Sequence, residues 1–194
     1  MIYTFGDSHA RKNFENTNLP ITNCSENSIT MHRIGRDKIF PYYSKVEHSS
    51  ENIFIFSIGE VDCRCHIGKQ MRLGRDFNEI CETLIKNYIE AIKQNFTLYK
   101  FIILCFIVPP KNREEYEKKY NDFPFIGTDE ERIMITKKMN LLLKREAMKN
   151  GYIFLDCYDY YKNNEGTLST ELSDDNVHVG NNSKIIEKLK EIII

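Results

Sequence analysis

Five short runs of apolar residues, separated by stretches with helical spacing, constrain this chain more than any other feature of it. Ile2–Phe5, Ser28–Ile34, Ile53–Ile58, Phe101–Val108 and Tyr152–Leu155 read as strands, with Ser28–Ile34 alternating most loosely. The strongest runs are continuous rather than alternating and are rich in Ile, Val and Phe. That pattern marks strands buried on both faces, as in a parallel sheet. Between them, Asp76 to Phe96 places Ile80, Leu84, Tyr88, Ala91 and Ile92 at helical spacing. Thr128-Asp129-Glu130-Glu131 is a capping box that opens a helix to about Asn150, with Gly151 as its stop. Ser183–Ile194 carries one stripe of Ile185, Ile186, Leu189, Ile192 and Ile193. Alternating strands and helices predict an α/β domain with a mainly parallel, five-stranded sheet. A chain of 194 residues favours a single domain over residues 1–194, long enough to bury a core without staples.

The charge balance narrows the function classes. Lys and Arg number 27 against 28 Asp and Glu, so no basic field recruits nucleic acid or anionic membrane. The longest apolar run, Phe101 to Val108, is too short to insert across a bilayer. Met1 leads straight into a strand pattern and a polar motif rather than a signal peptide. The six cysteines lack metal-knuckle spacing, and Cys105 and Cys157 sit in apolar surroundings as small hydrophobes. These features predict a reduced, cytoplasmic protein. His32, His48 and His66 have no zinc-ligand spacing, and the glycines form neither a dinucleotide nor a Walker loop. No metal and no cofactor is therefore expected.

Two short motifs at opposite ends of the chain carry the chemistry. Gly6-Asp7-Ser8 follows the first strand, which sets Ser8 at the mouth of a parallel sheet where the next helix begins. Its hydroxyl and its backbone N–H share that space. The alternative is a serine that merely caps the helix. Asp175-Asn176-Val177-His178 lies before the final amphipathic segment. There the Asp175 carboxylate can hold one ring nitrogen of His178 while the other takes a proton from Ser8. Asp174 is a rival for the orienting role, placed behind Asp175; the alternative is an Asp-rich turn with a surface histidine. His9 adjoins Ser8 too closely to act as its base and reads as a pocket-lining or helix-capping residue.

The two motifs resemble the SGNH (GDSL-type) hydrolase superfamily: Gly6-Asp7-Ser8 matches its first block and Asp175-Asn176-Val177-His178 its last, D-x-x-H. The resemblance implies a flavodoxin-like three-layer α/β/α sandwich and a serine-ester intermediate, with Ser8, His178 and Asp175 as nucleophile, base and acid. The middle blocks depart from the pattern. Gly59-Glu60-Val61-Asp62 occupies the place of G-x-N-D, so Val61 stands where an asparagine would donate to the oxyanion. Loss of one such donor costs about 10²–10³ in rate. Arg64 and His66, which follow directly, could substitute for it, beside the N–H groups of Ser8 and Gly35 as the other oxyanion donors. Arg64 is equally readable as the structural partner of Glu60 or Asp62, and Gly35 as an ordinary turn residue. Asp7, His9, Glu60, Asp62 and His66 are the candidate substrate contacts.

Lys111 to Gly127, charged and Tyr-rich, leaves the carboxyl end of the fourth strand as a wall or lid, or as a surface insertion. Its Tyr116, Tyr120, Phe123 and Phe125 either stack on a sugar or pack the segment down. The expected activity is acyl-ester hydrolysis on a small molecule or glycan, with a carbohydrate O-acetyl group as the specific expectation. O-acyl transfer to a sugar by the same triad and a glycan-binding pseudoenzyme are the alternatives. With His178 as base, hydrolysis falls as the imidazole becomes protonated.

Overall fold

A computed structural model describes residues 1–47, 49–112 and 124–193. Five parallel strands form one sheet in the order β2-β1-β3-β4-β5: β1 Ile2–Gly6, β2 Ile21–Ser25, β3 Ile53–Ser57, β4 Phe101–Cys105 and β5 Ile153–Leu155. β1 runs in register with both neighbours, Gly6 pairing Ser25 on one side and Ser57 on the other. Side chains leave the strands alternately to two layers. Tyr3, Phe5, Phe54, Phe56, Ile102 and Leu104 point to one core, and Ile2, Ile55, Ile103, Cys105 and Leu155 to the other.

The first core is closed by α2 (Met31–Asp37), α4 (Phe77–Asn95) and α5 (Asp129–Lys149). Phe96, just past α4, packs edge-on against Phe5 and Phe56 at 5.3 and 5.0 Å between ring centres. The second core is closed by Phe14, just past α1 (Ser8–Lys12), by Tyr158 and Tyr161 of α6 (Tyr158–Tyr161), and by Ile185 and Leu189 of α7 (Ser183–Ile193). The product is the three-layer α/β/α sandwich. All six cysteines are buried free thiols. Among the described residues no helix is long and apolar enough to cross a membrane, and no cluster of ligating side chains could hold a metal ion.

The capping chemistry matches the sequence. Asp76 accepts from Glu79 N–H at 2.8 Å to start α4. The Thr128/Glu131 box is reciprocal, and Gly151 follows α5 with φ +69°. One expected strand is not a strand. The sequence pattern points to a strand at Ser28–Ile34, whereas β2 is Ile21–Ser25 and Met31–Asp37 is helical. The observed β2 is a polar edge strand paired only with β1, so it needs no apolar run. The helix is set by its caps: Thr30 Oγ1 accepts from Arg33 N–H, and the distant Asp62 carboxylate accepts from Met31 N–H at 2.8 Å. The Phe101–Val108 run stops pairing at Cys105. Beyond it Asn140 of α5 takes the place of a strand, accepting from Ile107 N–H at 2.6 Å and donating to Ile107 C=O at 2.9 Å. Most of the expected wall Lys111–Gly127, with Tyr116, Tyr120 and Phe123, lies outside the described residues, as does His48.

Candidate active site

Ser8 is delivered by the shortest of connections. β1 ends at Gly6, Asp7 caps α1 by accepting from His9 N–H at 2.8 Å, and Ser8 is the first helical residue. Gly6 has φ +145°, and a Cβ there would sit 1.8 Å from Ser57 O, so only glycine fits between β1 and β3. The N–H of Ser8, in the first turn of α1, is one of the donors that a helix leaves without an internal acceptor.

The C-terminal segment comes back over this edge and is tied to α1. Asn182 donates through Nδ2 to the carbonyls of Glu15 at 2.8 Å and Asn13 at 3.3 Å. The Asn13 amide in turn donates to Ser57 Oγ at 3.1 Å, beneath α1. His178 thereby lies with Nε2 2.8 Å from Ser8 Oγ, across a separation of 170 residues. Its Nδ1 is 3.1 Å from Oδ2 of Asp174. This corrects the sequence assignment of the acid: Asp174, not Asp175, faces the imidazole. The chain makes a tight turn in which Asp174 Oδ1 also accepts from Asn176 N–H at 3.0 Å and His178 N–H at 3.3 Å. Asp175 is the left-handed residue of that turn, φ +63°, and is exposed. The D-x-x-H spacing located the loop, but the turn rotates the middle carboxylate outward.

The His178 ring is only 12% exposed. Burial first, and then the neighbouring His9, push it down from the ordinary histidine value to about 4, against the pull of Asp174 and Asp7. The ring is then neutral at neutral pH, and an Nδ1–H facing the Asp174 carboxylate leaves the Nε2 lone pair toward Ser8.

The remaining candidates divide sharply. His9 is buried, with Nδ1 2.9 Å from Asp7 Oδ1 and Nε2 3.1 Å from the Val177 carbonyl, and its ring centre is 4.7 Å from that of His178. Asp7 and His9 are thus built into the wall behind the base rather than facing a ligand. Glu60 and Arg64 form a buried ion pair, Nε to Oε1 2.8 Å and Nη2 to Oε2 3.1 Å, and the guanidinium lies over the Phe125 ring at 5.2 Å. This corrects two assignments. Arg64 is engaged with Glu60 and Phe125 rather than waiting as an oxyanion donor, and Glu60 is its partner rather than a substrate contact. Phe125 packs the end of the 111–127 segment onto the body, the duller of its two expected roles. Asp62 is also internal: 1% exposed, it caps α2 and lies 3.6 Å from His66 Nδ1.

Gly35 is corrected as well. It lies inside α2, where a Cβ would meet Asn87 Cβ of α4 at 3.0 Å, so its smallness serves helix packing and its N–H belongs to the helix. Val61 is buried and offers no donor. Of the donors named from sequence, Arg64 and Gly35 are engaged elsewhere, which leaves the Ser8 N–H. His66 remains partly open. With His32, Arg36, Lys69, Gln70 and Arg75 it borders a cavity of about 570 Å³ between α2, α4 and α3 (Ile67–Arg72).

Comparison of the whole chain with solved structures decides the fold. The chain has the fold of the GDSL lipases and acylhydrolases. A candidate platelet activating factor from Streptococcus pneumonia superposes with a TM-score of 0.69 at 19% identity, covering 100% of this chain and 83% of that one. A GDSL-like lipase from Bacteroides thetaiotaomicron gives 0.63 at 14% identity over 99% and 86%. A lipase/acylhydrolase from Enterococcus faecalis gives 0.56 at 14% over 99% and 94%. No protein-family model and no curated protein matches the sequence. Identities this low establish the shared architecture alone.

Proposed function

We propose that the protein is a serine acyl-ester hydrolase. The observation that carries this is the 2.8 Å contact between Ser8 Oγ and His178 Nε2, with Asp174 behind the ring at 3.1 Å. Ser8 Oγ attacks the ester carbonyl as its proton passes to His178 Nε2. Asp174 fixes the Nδ1–H tautomer and stabilises the imidazolium that forms. The Ser8 N–H faces the developing oxyanion. The Nε2 proton then goes to the departing alkoxide, and a water activated by the same nitrogen releases the acid from Ser8. The lipase and acylhydrolase descriptions of the neighbouring structures agree with acyl-ester chemistry.

For the alcohol part we retain a carbohydrate, with an O-acetyl group as the acyl part. The support is the set of hydrogen-bonding side chains, His32, His66, Gln70 and Asn87, on the border of the cavity of about 570 Å³. The glycan-binding pseudoenzyme is the second reading, favoured by Val61 in place of a side-chain donor. A fluorophosphonate probe and hydrolysis of p-nitrophenyl acetate and an acetylated sugar test these readings together. Wild type is expected to label and turn over, and Ser8→Ala to do neither. Absence of labelling in folded wild type overturns the hydrolase in favour of the binding protein. Transfer of acetyl to an added sugar in preference to water moves the reading to acyl transfer.

A further inference from the structure

The His9 ring stands between two groups that only accept. Asp7 Oδ1 lies 2.9 Å from Nδ1, and the Val177 carbonyl 3.1 Å from Nε2. A neutral imidazole carries one N–H and would turn a lone pair toward one of these oxygens; the imidazolium satisfies both. Asp7 gives a second reason. Its carboxylate is 1% exposed, and its Oδ2 has no hydrogen-bond partner among the described residues, so its charge is balanced by the ring it touches. The third observation is position: the His9 and His178 ring centres are 4.7 Å apart, tilted by 49°.

We propose that His9 is a charged positioning residue: its imidazolium, clamped by Asp7 and the Val177 carbonyl, holds His178 in the neutral form and keeps the Ser8–His178 pair competent in acid. The inference rests on the hydrolase reading for its consequence but not for its test. The groups facing the two rings come from every element around them. α1 and its cap supply Asp7, Ser8 and His9; the segment after β3 supplies Glu60, paired with Arg64; the C-terminal loop supplies Asp174, while Asp175 is turned outward. Lys111, after β4, reaches Ser173 of that loop at 3.4 Å. Burial opposes a charge on His9, yet Asp7 and Glu60 outweigh it and raise the group to about 9. For His178, burial and His9 outweigh Asp174.

The arrangement divides the labour of the base. A His178 that is hard to protonate takes the Ser8 proton with more difficulty, but once charged it is a strong acid toward the leaving alkoxide. It also stays unprotonated where an ordinary histidine, near 6.5, would be lost.

The test reads the rings directly. In wild type, ¹⁵N-detected imidazole spectra at pH 7 should show His9 protonated on both nitrogens and His178 on Nδ1 alone, with His178→Asn giving the assignment. His9→Gln, which keeps a donor for the Val177 carbonyl but no charge, should raise the His178 midpoint by about one unit or more. Its hydrolysis at pH 5 should fall about twofold or more relative to its own rate at pH 8, where wild type loses only about a tenth. A His9 ring singly protonated in wild type at pH 7 overturns the proposal whether or not the variant folds. So does an unmoved His178 midpoint in folded His9→Gln. Coupled rings in a protein without esterase activity would sink the hydrolase reading alone. Activity with uncoupled rings would sink this proposal alone.

Discussion

The choice between adjacent carboxylates, Asp174 and Asp175, can be decided by replacing each with asparagine. Asp174→Asn keeps an amide oxygen for the N–H groups of Asn176 and His178, which Oδ1 accepts at 3.0 and 3.3 Å, so the turn survives. What changes is the atom facing the imidazole. An amide NH₂ in place of Oδ2, now 3.1 Å from Nδ1, forces Nδ1 to accept and moves the ring proton to Nε2. Nε2 then points a hydrogen at Ser8 Oγ and cannot take its proton. Equivalent changes in serine triads cost about 10⁴ in kcat, and a fall of at least about 10² is expected here. The stability cost, one charged hydrogen bond made neutral, is about 0.5–1 kcal/mol, or about 1–4 °C in a domain of this size. Asp175→Asn is exposed and sits at φ +63°, a conformation asparagine accepts readily. Its activity should stay within about twofold. The assay is p-nitrophenyl acetate turnover beside a thermal melt of each variant. A loss of kcat in Asp175→Asn equal to that in Asp174→Asn would refute the assignment and the geometry behind it.

Further outcomes follow from the same contacts. Wild-type kcat/KM should hold nearly level from pH 8 to about 5 and fall only as His178 is protonated near 4, unlike an ordinary histidine base; a midpoint near 6.5 in a pH–rate profile would contradict the burial and His9 effects. Stability measured by urea midpoints should respond to both rings. His9 is raised, so its contribution is full below 6.5 and fades as pH rises through about 9. His178 is lowered, so its contribution is full above 6.5 and fades as pH falls toward 4. His9→Gln should abolish the alkaline slope, and its persistence would assign that slope elsewhere. Gly35→Ala should cost about 1–3 kcal/mol through the 3.0 Å approach to Asn87, while the folded fraction retains its kcat; a kcat collapse would restore Gly35 to the oxyanion. Arg64→Ala strands Glu60 in the interior and should cost about 3–5 kcal/mol with little effect on kcat in the folded protein. A selective fall in kcat would return Arg64 to the chemistry.

What could be read from the chain was what repeats locally. Ile53–Ser57 and Phe101–Cys105 announce themselves as buried strands because both faces are apolar, and Thr128 announces its helix because a cap is a local bond. Ser8 and His178 were legible because a strand end and a short turn fix them within a few residues. The errors have one origin. β2 was misplaced because an edge strand of Ile-Thr-Asn-Cys-Ser carries little apolar signal, and because α2 is capped by Asp62, 31 residues away. Arg64 and Glu60 looked available because nothing in a sequence says that they will be buried against each other.

The sequence by itself determined the layers, the place of Ser8 and the loop that carries His178, since these follow from periodicity, caps and turns spanning a few residues. Tertiary structure alone decided that Asp174 rather than Asp175 faces the imidazole, that Gly35 is a packing residue, and that His9 stands between Asp7 and the Val177 carbonyl behind His178. The physical reason is that hydrogen-bond direction and desolvation belong to groups brought together from opposite ends of the chain. Only the folded chain sets those distances.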